Sequence, residues 1–182
     1  MNANELTPVE PPYTSDVGAM LAKYPRAGDE ILTLFRVFAR SERFLGGKGV
    51  VNLLDRDSPL ALAERELVIL RVTANFGCEY EWGVHVTGFA KVAGFDDEQV
   101  SATCRREIET SRWSSEQVLL LQVVDALCDN AVLPAELQDA FSRAFDVDAQ
   151  LEIMALVGNY HTISCVARVA GLSPEPWAAR FP

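Results

Sequence analysis

Apolar residues recur at helical spacing along most of this chain, and no segment alternates convincingly as a β-strand. The clearest pattern predicts two helices over 58–75 and 79–93, with Ser58-Pro59 opening the first and Gly77 and Gly94 ending each in turn. Further helices are predicted over 15–24, 30–40, 115–130, 135–145 and 148–170. The sequence therefore predicts an all-α fold built on a central antiparallel helix hairpin.

The chain's 182 residues suit one domain. Residues 1–14 are rich in proline and lack a helical pattern, which predicts an extended arm, either disordered or laid across a neighbouring subunit. Residues 15–182 are predicted to form a single helical domain. Gly46-Gly47 is expected to break the chain, with at most a short segment at Val50–Leu54.

A formal charge of −10 disfavours binding to nucleic acid or to an anionic membrane surface. No apolar run reaches the length of a membrane span, and the first residues lack a signal-peptide pattern, so we expect a cytoplasmic protein. The four cysteines form no CxxC pair and no zinc-ligand spacing, which favours reduced thiols. A negatively charged substrate would need local positive groups, for example Arg65 or Arg71.

The chemistry-bearing residues concentrate in the helix pair. Cys78, Glu81 and His85 are offset by three and then four residues, so a helix places them on one face. Trp82 lies close to the same stripe and could shield it from water. Glu66 lies one helix earlier and can reach this face across an antiparallel hairpin. A carboxylate beside a histidine and a thiol indicates proton-transfer or nucleophilic chemistry.

Each of these residues also has an ordinary structural interpretation. Cys78 can be a buried apolar thiol or, at a helix start after a glycine, an ionisable one. Glu81 and His85 can be a simple i,i+4 pair. Glu66 falls on an apolar stripe and needs a partner, either an arginine or His85.

Aromatic residues could line a pocket here, although they are usually core; the candidates are Tyr80, Trp82 and Tyr160. The second histidine, His161, lies in a weak internal echo of the helix pair without an accompanying Cys or Glu. We interpret that echo as structural.

The segment 65–72, followed by Cys78, His85 and Gly94, resembles the core helix pair of the carboxymuconolactone decarboxylase and alkylhydroperoxidase D superfamily. The resemblance is specific over about residues 58–103. It implies an all-helical alkylhydroperoxidase D-like fold and assembly into a homo-oligomer, as a dimer, trimer or hexamer.

In the peroxidase branch of that superfamily, the resemblance matches Glu66 to a relay glutamate, Cys78 to the first cysteine of a CxxC pair and His85 to the following histidine. Tyr80 stands where a further relay histidine is usual. Glu81 stands where the second, peroxide-attacking cysteine should be, so the standard two-cysteine cycle is unavailable. The decarboxylase branch needs no cysteine pair, and its substrate is a small carboxylated lactone.

Three functions follow as hypotheses. The first is a cofactor-free, lyase-like acid–base enzyme acting on a small carboxylated or lactone compound. The second is an alkylhydroperoxidase-like thiol peroxidase, an oxidoreductase with peroxiredoxin activity, in which Cys78 forms a sulfenic acid that an external thiol resolves. The third is a non-enzymatic helical oligomer.

A metal site formed by Glu66, Glu81 and His85 is a weaker fourth hypothesis, because it would contain only one histidine ligand. We therefore expect no cofactor and no metal. The predicted catalytic residues are Glu66, Cys78, Glu81 and His85, and the predicted substrate-binding residues are Tyr80 and Trp82.

Overall fold

The computed structural model describes residues 7–40, 45–46 and 58–182, and this part of the chain is mostly helical. The α-helices are α1 (Ser15–Leu21), α2 (Thr33–Phe38), α3 (Leu62–Asn75), α4 (Glu79–His85), α5 (Asp97–Ala102), α6 (Ser115–Asn130), α7 (Ala135–Ala144) and α8 (Val147–Val169). A π-helical segment, Val86–Ala90, continues α4, and a 3-10 turn at Thr110–Arg112 precedes α6. The all-α prediction is confirmed. The start of the arm (1–6), Gly47 and the Val50–Leu54 segment lie outside the described residues.

Helix α3 is the centre of the fold. All its side chains from Glu66 to Thr73 are buried, and it packs against α4, α6 and α8. A helix that is apolar on nearly every side must be surrounded, because its exposure to water would cost free energy at every turn. A charged side chain in its middle therefore has to find its partner inside the protein.

The turn from α3 to α4 is set by Gly77, whose φ of +61° is the left-handed conformation that glycine adopts without strain. The Cys78 N–H then donates to the Thr73 carbonyl at 2.8 Å and closes the turn. As predicted, this glycine ends the first helix. The short connection makes α3 and α4 an antiparallel pair, so that the middle of one helix faces the far end of the other.

The start of α3 differs from the prediction. Helix α3 begins at Leu62 instead of Ser58-Pro59: Ala61 is still extended, and its N–H is capped by the Glu64 carboxylate at 2.7 Å. The Ser58 hydroxyl accepts the N–H of Leu60 in a local turn, which competes with helix formation there. In contrast, α6 begins where predicted, at a capping box in which Ser114 and Gln117 exchange side-chain and backbone hydrogen bonds.

The helix predicted over 30–40 is shorter than expected. Arg26–Ala27 and Glu30–Ile31 form a two-stranded antiparallel hairpin, so the expectation that no strand occurs is wrong for these four residues. Gly28, with a φ of +63°, allows the tight reversal. Helix α2 therefore begins only at Thr33.

The described part of the arm lies along α2 of its own chain. The Val9 N–H donates to the Arg36 carbonyl at 3.0 Å, Arg36 pairs with Glu10 at 2.6 Å, and Arg40 donates to the Thr7 carbonyl at 2.7 Å. The arm thus reinforces α2 from outside.

Residues Glu175–Phe181, which we call the strap, run back from α8 across the outer side of α4. The Ala179 N–H donates to Gly83 O at 3.3 Å and to Thr87 Oγ1 at 2.9 Å, and the Phe181 N–H donates to Glu79 Oε1 at 2.9 Å. A Cβ at Gly83 would stand 2.1 Å from the Ala179 carbonyl oxygen. Only glycine at this position lets the strap backbone approach the helix so closely.

This approach makes a prediction about two helical glycines. Gly158→Ala should stabilise the fold by about 1 kcal/mol, because alanine is the better helix former and no heavy atom lies within 4 Å of the added Cβ. Gly83→Ala should instead destabilise it by roughly 1–3 kcal/mol, because the strap has to shift. Urea unfolding of both variants measures the difference, and equal stabilisation by the two alanines would contradict the packing described here.

Candidate active site

A cavity of about 600 Å³ opens beside the α3–α4 pair. Its apolar walls include Leu32, Phe35, Leu60, Leu62, Val84 and Phe89. Its polar groups include Arg65, Glu66, Glu81, His85 and Tyr160. An apolar cavity of this size with a few convergent polar side chains is the usual form of a small-molecule site.

Glu66 and His85 meet at the wall of this cavity. Glu66 comes from the middle of α3 and His85 from the last turn of α4, and their antiparallel arrangement places His85 Nδ1 2.7 Å from Glu66 Oε2. Both side chains are buried. The buried carboxylate has therefore found the histidine as its partner, and this contact fixes the orientation of the imidazole ring.

The other ring nitrogen of His85 faces two further polar groups. Its Nε2 lies 3.2 Å from the Tyr160 hydroxyl oxygen and 3.5 Å from Glu81 Oε1. Tyr160 comes from α8, so three helices converge on one imidazole. A proton on Nε2 thus lies next to Glu81 and Tyr160, and both of these residues line the cavity.

These carboxylates change the acidity of His85. Burial works to lower the pKa of the imidazole, but the charge and hydrogen bond of Glu66, followed by those of Glu81, outweigh it and raise the pKa from 6.5 to about 9. At neutral pH the ring is therefore protonated. It is a proton donor held between acceptors.

Tyr160 remains a neutral phenol. Burial, followed by the negative charge of Glu81, raises its pKa well above 10, against an opposing effect of Arg65. Its hydroxyl group can therefore accept or donate a hydrogen bond without carrying charge.

Arg65 supplies a positive charge at the cavity. Its guanidinium lies 3.4 Å from Glu152 and also contributes a hydrogen bond to Tyr160. Arg71, the other arginine considered from the sequence, is buried elsewhere: it forms a two-pronged pair with Asp125 and donates to backbone carbonyls, including that of Thr103. Of these two arginines, Arg65 is the one that lines the cavity.

Cys78 lies apart from this cluster of acid–base groups. It caps the start of α4, is buried, and lines a smaller cavity on the side of Gly171 and Leu172. Burial raises the pKa of its thiol, and the Glu81 charge adds to this rise against the lowering effects of the Glu81 N–H, Ser164 and Arg168. The thiol is therefore kept in its protonated form.

The structure does not bring Tyr80 and Trp82 to the cavity that contains His85. Tyr80 is turned the other way, with its hydroxyl on Glu175, because its position in α4 faces the strap. Trp82 is buried between Thr103, to which its indole N–H donates at 3.0 Å, and the Phe181 ring. These two aromatic residues do not line the cavity of His85, since residues one position on either side of Glu81 point away from it.

Two cavity residues were missed as site residues. Tyr160 was named among the aromatic residues that could line a pocket, but not as a predicted substrate-binding residue. Its helical spacing from Leu156 and Ile163 on α8 is equally typical of a core position. Arg65 was considered as a positive group for a negatively charged substrate, but its position in the cavity was not predicted. His161 stacks on Phe76 with ring centroids 3.9 Å apart, so it serves packing and does not line the cavity.

The described ranges contain neither a metal-binding cluster nor a helix that could span a membrane. No three His, Cys, Asp or Glu side chains are grouped there so as to hold a metal ion. Nor does any helix in the described part of the chain combine the length and apolar character needed to cross a membrane.

The model of the carboxymuconolactone decarboxylase family matches residues 47–126. This segment contains α3, α4 and α5, most of α6, and every residue predicted as catalytic. Over this segment the chain is similar to the carboxymuconolactone decarboxylase family, in agreement with the superfamily that the sequence resemblance predicted. A comparison with functionally curated proteins gives no significant match.

Two solved structures share the fold. An uncharacterised peroxidase-related protein from Silicibacter sp. TM1040 is 15% identical, with a TM-score of 0.77, and the alignment covers 97% of this chain and 95% of that one. A protein of unknown function from Agrobacterium tumefaciens, proposed as an antioxidant defence protein AhpD, is 18% identical with a TM-score of 0.58, over 64% of this chain and 80% of that one. At these identities the similarity establishes the fold alone.

The arrangement around His85 predicts its titration. In an NMR titration, His85 should show a pKa near 9, and its signals are readily assigned because the chain has only one other histidine, removable as His161→Gln. Glu66→Gln should lower this pKa by about one pH unit or more, because the charge that offsets burial is lost. The matched variant Glu64→Gln, two residues earlier on α3, should leave it unchanged.

The same proton affects stability. The unfolded chain loses the His85 proton near pH 6.5 and the folded protein near pH 9, so this stabilisation is complete below about pH 6.5 and lost as pH rises to 9. The free energy of unfolding should fall across that window by up to about 3 kcal/mol, and His85→Asn should remove the slope. A wild-type curve that is flat between these pH values would contradict the assignment.

Proposed function

We propose that this protein is a cofactor-free acid–base enzyme of the decarboxylase type, acting on a small carboxylated or lactone compound. The observation that carries the proposal is the position of His85 at the wall of a cavity large enough for such a compound. Its Nδ1 contacts Glu66, and its Nε2 lies near Glu81 and Tyr160. The match of residues 47–126 to the carboxymuconolactone decarboxylase family supports it.

The chemistry needs a proton donor. When a carboxylate leaves as CO₂, the electron pair of the broken C–C bond stays on the remaining carbon and can spread into a neighbouring lactone carbonyl. That carbon then takes up one proton, so the overall change is loss of CO₂ and gain of H⁺. His85, with its pKa raised to about 9, holds such a proton at neutral pH.

The neighbours of His85 then take distinct roles. Glu66 orients the ring and stabilises its protonated form through Nδ1. Glu81 and Tyr160 face Nε2, so either can share its proton or relay it to the substrate. This assignment needs neither Cys78 nor a bound cofactor.

The walls of the cavity support the substrate class. Apolar side chains such as Phe35 and Phe89 suit the carbon skeleton of a small ring, and Arg65 offers a guanidinium to a carboxylate. A chain with a net charge of −10 repels anions at long range, so a local cation is needed to hold one. Arg65 supplies that charge at the polar end of the cavity.

Two observations favour this proposal over the alternatives. A thiol peroxidase through Cys78 is disfavoured because burial raises the pKa of that thiol and the thiol does not line the cavity of His85. A purely structural Glu–His pair is disfavoured because the pair borders a large cavity instead of being sealed in the core. Both alternatives remain testable.

The direct test is to assay the decarboxylation of carboxymuconolactone. The release of ¹³CO₂ from its labelled carboxylate measures the reaction. We expect turnover by the wild type that declines as pH rises through about 9, and a loss of about 100-fold or more in His85→Asn. Cys78→Ser should keep the activity. Absence of turnover in the wild type would count against the decarboxylase assignment, and rapid peroxide reduction abolished by Cys78→Ser would favour the peroxidase.

We further propose that the protein is a homo-oligomer. Val147, Leu151 and Met154 are exposed apolar residues that share one face of α8, and Leu62 and Phe89 are exposed at the cavity. The covering of these side chains by a second copy would remove apolar surface from water.

Light scattering at micromolar concentration should therefore give a mass two, three or six times the 20 kDa of one chain. Leu151→Glu should shift the distribution toward the single chain, whereas Glu116→Gln on the exposed start of α6 should not. A wild-type mass of one chain at this concentration would refute the proposal.

A further inference from the structure

The hydroxyl of Tyr80 joins three parts of the fold behind the candidate active site. It donates to Glu175 Oε1 at 2.6 Å and accepts from the N–H of Leu34 at 3.0 Å. The same Glu175 oxygen accepts from the N–H of Thr33 at 2.9 Å. Tyr80 belongs to α4, Thr33 and Leu34 to the start of α2, and Glu175 to the strap, so this small network ties the three elements together.

Helix α4 is held from two opposite sides. Glu81 and His85 face the cavity, whereas Glu79 and Gly83 face the strap and accept hydrogen bonds from its backbone. In the π-helical segment that continues α4, Thr87 accepts a further hydrogen bond from the strap. The strap therefore contacts the side of α4 that faces away from the cavity.

The start of α2 forms the opposite wall of the cavity. Leu32 and Phe35 line it, and the two N–H groups of Thr33 and Leu34 between them are the ones bound by Glu175 and Tyr80. The network thus links an apolar wall of the cavity to the helix that carries the acid–base groups. Its geometry sets the separation of the two walls.

The Tyr80–Glu175 hydrogen bond is a strong one. Burial, with the Glu175 hydrogen bond and charge, raises the pKa of Tyr80, so the phenol keeps its proton. Burial alone would raise the pKa of Glu175, but the hydrogen bonds from Tyr80 and Thr33 lower it overall, so its carboxylate stays charged. A hydrogen bond from a buried phenol to a carboxylate is stronger than one between neutral groups.

We propose that Tyr80 and Glu175 are positioning residues, whose hydrogen bond fixes α4 against α2 and thereby holds His85 in contact with Glu66. Neither side chain lines the cavity of His85, so they act through the helices and not on a substrate. The proposal goes beyond the proposed reaction, because its consequence is measurable on His85 in the absence of any substrate.

The test is the NMR titration of His85 in Tyr80→Phe, with His161→Gln as the assignment background. If the hydrogen bond positions α4, its loss should let His85 move away from Glu66 and Glu81, and the pKa of His85 should fall by about half a pH unit or more. Glu175→Gln keeps an oxygen that can accept from Tyr80 and Thr33, so it should give a smaller fall. The double variant should shift the pKa no further than Tyr80→Phe alone, because the two residues act as one unit.

Tyr13→Phe is the matched control, since it removes a tyrosine hydroxyl from the arm and should leave the titration of His85 unchanged. A lower melting temperature in Tyr80→Phe with an unchanged His85 pKa would overturn the proposal and leave the network a merely structural one. If Tyr80→Phe does not fold, Glu175→Gln and Glu175→Ala decide in the same way. Because no substrate enters the measurement, its result is independent of whether carboxymuconolactone is decarboxylated.

Discussion

The contact between Glu66 and His85 is the constraint on which the rest of this structure depends. Glu66 is the first of eight consecutive buried residues on α3, and an unpaired carboxylate there would be strongly unfavourable. Its partner must come from the next helix, and the turn at Gly77 brings the end of α4 to the right level. One 2.7 Å contact therefore meets two needs. It gives the buried Glu66 carboxylate a partner, and it fixes the orientation of the His85 ring.

That contact in turn requires α4 to be fixed from both sides. Its seven residues are too few to be stable as an isolated helix, so its position comes from tertiary packing. One side of it faces the cavity and the other receives the strap, whose backbone approaches closely only because residue 83 is glycine. Residues at the end of the chain therefore determine the geometry of a site formed much earlier in the sequence.

The sequence was sufficient for those features that depend on local chemistry. Helical periodicity and the glycine stops at Gly77 and Gly94 predicted the hairpin, and the spacing of Glu81 and His85 predicted their shared face. Features that depend on long-range contacts were not predictable in this way. Tyr160 reaches His85 from 75 residues away, and no local pattern distinguishes it from a core aromatic residue. The orientation of Tyr80, away from the cavity of His85, likewise depends on a distant segment, the strap.

One residue, Glu81, explains why the same helix pair favours acid–base chemistry over thiol chemistry. In the peroxidase branch that the sequence resembles, a second cysteine stands at this position. Here a negative charge replaces it and acts on two neighbours at once: it adds to the rise in the pKa of Cys78, which disfavours the thiolate, and to the rise in the pKa of His85, which favours the imidazolium. A nucleophilic thiol and a protonated histidine place opposite demands on local charge. With a carboxylate at position 81, the electrostatics of the site favour the proton donor.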